Sequence, residues 1–172
     1  MSIFLGLMLA FGFDYMDQTF KAPEDIERYL NVALLGSIPK KKGQADALHH
    51  IGDQIFFEIK DRGLKSLILT AALPKEGVTT VTANIAKHIA ERSGRRTLVI
   101  DANLRNPAIH KAMNVSNSAG LVDVLEGKLS FEKAVMDIND KLSVLTAGKV
   151  DLNPATLVES HPDLNPHRFA RP

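Results

Sequence analysis

From residue 64 onward the chain alternates short apolar runs with amphipathic segments, and this pattern constrains the fold more than any other feature. Three apolar runs are predicted to be buried strands: 64–73, 97–100 and 141–148. Residues 78–92 have helical apolar spacing, and shorter helices are predicted from AIHKAM, SAGLVDVLEG and SFEKAVMD. Strands that alternate with helices form parallel sheets with right-handed crossovers, so we predict an α/β fold.

Composition excludes several classes of function. A chain of 172 residues has room for one domain with a proper core. Its net charge of +1 argues against a protein that binds nucleic acid through bulk charge, so we expect no nucleic-acid partner. The absence of cysteine excludes disulfides and cysteine-based zinc sites.

The stretch ALPKEGVTT, residues 72–80, has the order of a phosphate-binding loop that leads into a helix. Thr79 stands where a magnesium-binding hydroxyl belongs, but Val78 cannot supply the ammonium group of a P-loop lysine. Losing that charge should lower the reaction rate more than the binding affinity. The alternative is a plain strand–loop–helix joint. The candidate nucleotide-binding residues here are Pro74, Lys75, Glu76, Gly77, Val78, Thr79 and Thr80.

A second motif, LVIDANLRNP at residues 98–107, places Asp101 after the second predicted strand. Open α/β sheets bind ligands at this edge, so Asp101 is the candidate catalytic residue and, with Thr79, a candidate magnesium ligand. The alternative role for Asp101 is a helix cap. Asn103 and Arg105 are further candidate nucleotide-binding residues, and Arg105 is close enough to meet a phosphate or to pair with Asp101.

The first residues are unusually apolar. The run at 2–13 is too short to span a bilayer alone, so we interpret residues 1–13 as the remnant of a transmembrane helix. The alternative is a buried helix or strand of the domain. Residues 14–43 read as a juxtamembrane segment in which Pro23 opens a helix and Lys40, Lys41 and Lys42 form a basic run.

Taken together, these stretches resemble the bacterial tyrosine kinases (BY-kinases) that accompany polysaccharide co-polymerases. TFKAPEDIERYLNVALLGSIP resembles the family's juxtamembrane signature, KSLILTAALPKEGVTT its Walker A region and LVIDANLRNPAIHKAMNV its Walker A′ region. GLVDVLEGKLSFEKAV and LSVLTAGKVDLNPATLVES resemble the stretches that follow. The resemblance implies a P-loop NTPase-like domain over residues 44–160 that uses ATP or ADP with Mg²⁺. It also implies polysaccharide co-polymerase or kinase subunits as partners at the cytoplasmic face of the bacterial inner membrane.

The departures from the family fall at functional positions. The Walker A lysine is Val78, a loop glycine is Lys75, and the second Walker A′ acid is Asn103. His49 and Gly52 occupy the places of arginines implicated in ring assembly, which puts a homo-oligomeric ring in doubt. The Walker B strand has no counterpart, so the sheet is expected to be incomplete with an uncovered apolar edge.

The final residues, 161–172, contain three prolines and are expected to be disordered. We therefore expect a truncated gene product or a fragment. The hypothesis that follows is a degenerate BY-kinase-like nucleotide-binding module of exopolysaccharide or capsule biosynthesis, weak or inactive as a kinase. The alternatives are an active ATP-dependent tyrosine autokinase of polysaccharide export and a regulatory ATPase of the MinD/ParA type.

Overall fold

The structure is a computed structural model that describes residues 6, 8, 23–39, 42–93 and 95–150. The chain divides into two compact units, Met1–Ile38 and Pro39–Pro172. Most of the apolar run 2–13, the basic residues Lys40 and Lys41, and the tail 161–172 lie outside the described residues.

The first unit contains helix α1, Pro23–Leu30, which begins at the predicted proline. Proline suits the first helical turn because its fixed φ is helical and its missing N–H has no partner there. The backbone N–H of Asn31 donates to the carbonyl of Glu27 at 3.0 Å and closes the helix. Over the described ranges, no helix has both the length and the apolar character needed to cross a membrane.

The second unit follows the predicted alternation of helices and strands. Its longer helices are α2, Gln44–Arg62, and α3, Val78–Ser93. Three short helices come later in the chain: α4, Ile109–Met113; α5, Leu121–Leu125; and α6, Phe131–Ala134. The strands are β1, Thr97–Ile100; β2, Met136–Asp137; and β3, Leu142–Leu145.

The three strands form one sheet in the order β1-β3-β2. β1 pairs with β3 in parallel, with Thr97 opposite Leu142 and Ile100 opposite Leu145. This pairing confirms two of the three predicted strands. β2 pairs with β3 antiparallel, so the sheet is mixed: the sequence predicted the parallel pair but not the antiparallel strand. The chain between Asp137 and Leu142 turns back directly, and such a short connection joins only antiparallel neighbours.

The main apolar core lies between the sheet and two helices, α3 and α4. Alanines on one face of α3 let this helix approach the sheet closely, and Val99 of β1 meets them there. The buried residues of this cluster are Ala83, Ala86, Ala90, Val99, Ile109, Met113, Leu142 and Val144. The 3.6-residue spacing of the α3 alanines places them on one side of the helix. The core therefore positions the first turn of α3 and the end of β1.

The first predicted strand, 64–73, is not part of the sheet. Its backbone between residues 65 and 72 makes no hydrogen bond to another main-chain group of the described residues. Its side chains are largely exposed, and Ile68 has 89% of its surface accessible. An apolar run forms a strand only when another strand pairs with it, and no described strand lies beside this one. The strand prediction for this segment was wrong.

Helices α2 and α3 pack against each other through a polar cluster. Oδ1 of Asp53 on α2 lies 2.8 Å from Nε2 of His88 and 2.8 Å from Nε of Arg92, both on α3. The hydrogen bond with His88 holds the pKa of Asp53 below its usual value; burial opposes this, and the charge of Arg92 adds to it. The rings of His49 and His88 lie 5.0 Å apart. A Cβ at Gly52 would stand 2.7 Å from the His88 ring.

The contacts that His49 and Gly52 make with His88 concern the two positions that the family resemblance linked to ring assembly. His49 and Gly52, which the resemblance puts in the places of arginines, both meet α3 through His88. A long side chain at position 52 would have to displace the His88 ring. Gly52 therefore serves the packing of α2 against α3.

Candidate functional site

The loop before α3 has a conformation that exposes its backbone N–H groups. Lys75 has φ +68° and Gly77 has φ +84°, so two residues of the loop are left-handed with Glu76 between them. Alternation of this kind turns successive N–H groups toward one side and forms an anion-binding concavity. Lys75 is a non-glycine residue in a region that favours glycine, at the position where the resemblance implies a loop glycine.

The first turn of α3 extends this concavity. The first helical hydrogen bond runs from the N–H of Val81 to the carbonyl of Gly77, at 2.9 Å. The N–H groups of residues 78–80 have no acceptor among the described residues. A Cβ placed on Gly77 would meet no atom within 4 Å, so the space above this turn is open. Free N–H groups at the positive end of a 16-residue helix suit a phosphate.

Two side chains weaken this phosphate site. Val78 is half-buried and carries no charge. Glu76 turns back within the loop, where its Oε2 is 3.4 Å from the N–H of Leu73. This carboxylate places a negative charge beside the phosphate position and opposes a polyanion. Lys75 is exposed in the same loop and is the cation nearest to it in sequence.

Asp101 is buried, with 4% of its surface exposed, and both carboxylate oxygens accept hydrogen bonds. Its Oδ2 accepts from the N–H groups of Ala108 and Ile109, each at 3.0 Å, and its Oδ1 accepts from Asn103 at 3.2 Å. These bonds fold residues 101–109 into a closed loop and cap the start of α4. In this geometry Asp101 acts as the helix cap that the sequence left as an alternative.

The two motifs reach the same edge of the sheet. Residues 94–96 join α3 to β1 directly, so the helix runs antiparallel to the strand that it packs against. The start of α3 and the end of β1 therefore lie on the same side of the domain, where open α/β sheets bind ligands. Thr79 and Asp101 therefore lie toward the same edge.

The other two predicted nucleotide-binding residues, Asn103 and Arg105, form no hydrogen bond with the described loop before α3. Oδ1 of Asn103 accepts a hydrogen bond from the N–H of Asn106 at 3.1 Å, which makes a local turn. Arg105 is exposed and forms no ion pair with Asp101. Because three backbone N–H groups occupy the Asp101 carboxylate, the suggested Arg105–Asp101 pair is not formed.

The available side chains suit a magnesium ion bound mainly by nucleotide phosphates better than one bound mainly by the protein. The described residues contain no group of three histidine, cysteine, aspartate or glutamate side chains that could hold a metal. Magnesium bound with a nucleotide needs only one or two protein ligands, because phosphates and water supply the rest. The Thr79 hydroxyl at the first turn of α3 can serve as one such ligand.

Several residues of this edge were not singled out by the sequence patterns. The loop after β3 is attached to α5 through Thr146, whose Oγ1 donates to the carbonyl of Ala119 at 3.0 Å. Oδ2 of Asp123 accepts from the N–H of Gly120 at 2.8 Å. The one available signal was the run TAGK at the end of a predicted strand.

Known proteins with similar sequences include a tyrosine-protein kinase and a succinoglycan biosynthesis transport protein. The chain is 44% identical over 111 residues to the tyrosine-protein kinase YwqD of Bacillus subtilis, a match that covers 64% of this chain and 46% of YwqD. It is 37% identical over 83 residues to the succinoglycan biosynthesis transport protein ExoP of Rhizobium meliloti, covering 48% of this chain and 10% of ExoP. No protein-family model matches the chain.

The fold agrees with a solved tyrosine kinase domain. The kinase domain of the Escherichia coli tyrosine kinase ETK superposes with a TM-score of 0.73 at 24% identity, covering 84% of this chain and 66% of that domain. The chain spans about half the length of YwqD, at 46%. The sequence matches support a member of the bacterial tyrosine kinase family, and the fold is the P-loop α/β fold of such kinase domains.

Proposed function

We propose that this protein is a degenerate BY-kinase-like nucleotide-binding module that binds Mg-ATP or Mg-ADP weakly and transfers no phosphate to tyrosine. The observation that carries the proposal is the loop at the start of α3. Its backbone has the left-handed residues and free N–H groups of a phosphate site, while its side chains contribute Val78 and the Glu76 carboxylate. Backbone groups support binding, but the charge that stabilises the transition state is not supplied.

The state of Asp101 supports the same proposal. A general base must reach the hydroxyl whose proton it takes, and Asp101 is 4% exposed with both oxygens already accepting backbone N–H groups. With Asn103 in place of a second acid, no other carboxylate of this motif is available. We therefore assign Thr79 as the magnesium ligand, with Lys75 and residues 76–80 around the phosphates.

The biological setting rests on the relatives. YwqD is named a tyrosine-protein kinase and ExoP a succinoglycan biosynthesis transport protein. We place this chain in exopolysaccharide or capsule biosynthesis, at the cytoplasmic face of the bacterial inner membrane. Its proposed partners are polysaccharide co-polymerase or kinase subunits.

Nucleotide titration of the full chain tests the proposal. We expect weak binding of Mg-ADP, tightened about tenfold by Val78→Lys, since one charge-assisted hydrogen bond contributes about 1.5 kcal/mol. Val78→Gln, which has similar length without charge, is the matched control and should leave the affinity nearly unchanged. Equal affinities of all three proteins would show that the loop does not hold phosphate.

The second candidate, an active tyrosine autokinase, is favoured by the exposed cation of Lys75 in the loop. Labelled ATP decides between the two. We expect no phosphotyrosine on the full chain or on an added tyrosine peptide. Phosphotyrosine that appears with the wild-type chain and disappears with Thr79→Val would overturn the inactive assignment.

A further inference from the structure

A surface cleft of about 390 Å³ opens between the loops that follow β1 and β3. Leu104, Arg105 and Pro107 line it from the first loop, and Lys149 and Val150 line it from the second. Both loops leave the carboxyl ends of paired parallel strands, the edge where sheets of this kind bind ligands. The volume lies within the range of small-molecule sites.

The second wall of this cleft is held in place by a side chain. Asn117 donates from Nδ2 to the carbonyl of Gly148 at 3.0 Å, and its Oδ1 accepts from the N–H of Gly148 at 3.0 Å. Gly148 has φ +83°, and a Cβ there would stand 2.9 Å from Oδ2 of Asp123. The amide thus fixes the residue that precedes Lys149, and the cleft is largely preformed.

Two cations of the cleft have no acidic partner in the part of the chain that the structure describes. Arg105 and Lys149 are exposed, and neither forms an ion pair with the described residues. Two acids of the adjoining described residues are engaged elsewhere: Asp123 accepts from Gly120, and Asp101 accepts three backbone N–H groups. Two free cations beside one opening attract an anion, and a guanidinium binds phosphate with two parallel hydrogen bonds.

The remaining walls are apolar. Leu104 is buried in a small cluster with Val122 and Ala147, and Val150 packs against that cluster. Pro107 adds an apolar ring on the opposite loop. A bare inorganic phosphate would use the cations and leave these walls unfilled. A ligand that fills the cleft carries an anionic group on a flat apolar body, over which a guanidinium also stacks.

We propose that this cleft binds the phosphate monoester of an aromatic group, the chemistry of a phosphotyrosine side chain. Arg105 and Lys149 hold the phosphate, and Leu104, Pro107 and Val150 contact the ring. Recognition of a phosphorylated side chain by clustered cations is a recurrent mode of peptide binding. The proposal does not depend on nucleotide binding by the loop before α3, and it stands if that loop binds nothing.

Titration of the full chain with phenyl phosphate and with an O-phosphotyrosine peptide tests the proposal, with heteronuclear NMR shifts as the readout. We expect both to bind, and the same peptide without phosphate not to bind. Lys149→Met and Arg105→Gln should each weaken binding about fivefold, as expected for partly exposed charge-assisted hydrogen bonds. Lys141→Met, which removes an exposed lysine outside the cleft, is the matched control and should have no effect.

Three outcomes would overturn the proposal. The first is no binding of phenyl phosphate at millimolar concentration by a folded protein. The second is equal binding of inorganic phosphate, which would show that the apolar walls contribute nothing. The third is displacement of phenyl phosphate by ADP, with the displacement weakened by Lys149→Met. That result would assign the cleft to a nucleotide. Val150→Ala keeps both charges, and we expect it to weaken phenyl phosphate but not inorganic phosphate.

Discussion

Nε2 of His88 lies 2.8 Å from Oδ1 of Asp53, and this contact joins α2 to the helix that begins at the phosphate loop. Arg92 adds a second basic group at 2.8 Å from the same oxygen. The C-terminal half of α3 is therefore braced against α2. A substitution at this contact would therefore alter the orientation of α3 while leaving the residues of the phosphate loop unchanged.

The first prediction concerns the pH dependence of this brace. The pKa of Asp53 is lowered in the folded protein, mainly by the hydrogen bond with His88. Its contribution to stability is therefore fully present above the unfolded pKa and is lost as the pH falls through the folded pKa. We expect Asp53→Asn to lower the melting temperature at about pH 5, with a smaller difference from wild type at about pH 2.

Thermal unfolding at both pH values measures this effect. Asp61→Asn removes an exposed acid at the end of the same helix and serves as the control. A melting-temperature difference between Asp53→Asn and wild type that stays constant across this range would show that the brace is not electrostatic.

The second prediction separates the capping role of Asp101 from a catalytic role. Asp101→Ala leaves three buried or half-buried N–H groups without an acceptor, so we expect a loss of about 2–3 kcal/mol in the free energy of unfolding. Asp101→Asn keeps one oxygen acceptor and should lose less. Urea denaturation measures both, and an Asp101→Ala protein as stable as wild type would contradict the cap.

The third prediction concerns the acid within the phosphate loop. Glu76→Gln removes a negative charge beside the phosphate position, and we expect Mg-ADP binding to tighten about threefold at low salt. Glu91→Gln removes a charge at the far end of α3 and should change the affinity little. Calorimetric titration at two salt concentrations makes the comparison. A Glu76→Gln affinity equal to that of Glu91→Gln would show that the carboxylate does not face the ligand.

The fourth prediction tests the attachment of the loop after β3. A Cβ on Gly120 would collide with the carbonyl of Thr146 and stand 2.7 Å from the carbonyl carbon of Ala147. Because these are backbone atoms at the end of a central strand, Gly120→Ala should cost about 3 kcal/mol. Gly127 has φ +71°, but the space around it is open, so Gly127→Ala should cost about 1 kcal/mol. Chemical denaturation that gives equal losses would contradict the close approach at Gly120.

The fifth prediction concerns the unpaired apolar segment 64–73. Ile68 is 89% exposed, so Ile68→Thr should reduce aggregation while leaving the melting temperature unchanged. Ile85→Thr places a hydroxyl at a core position that is 2% exposed, and should cost about 2–3 kcal/mol. Light scattering and thermal unfolding give the two readouts. Equal destabilisation by both substitutions would show that the segment is packed in solution.

Local patterns were sufficient for elements whose partners are near in sequence. The spacing of apolar residues predicted α3 at 78–92 and Thr97–Ile100 as a strand, and the structure gives Val78–Ser93 and Thr97–Ile100. Pro23 predicted the start of α1 in the same way. The alternation of α3 with β1 also indicates that the start of the helix and the end of the strand face one edge, because the two elements run antiparallel.

Tertiary structure decided whatever depends on a partner distant in sequence. The run at 64–73 has the composition of a strand, but its pairing required a neighbour that its own residues do not specify. Asp101 has the same position in the motif for catalysis and for capping, and only the N–H groups of Ala108 and Ile109 select the cap. The cleft between Arg105 and Lys149 joins residues 44 positions apart through the parallel pairing of β1 with β3. Sequence determined which groups this protein carries, and the pairing of its strands determined which of them meet.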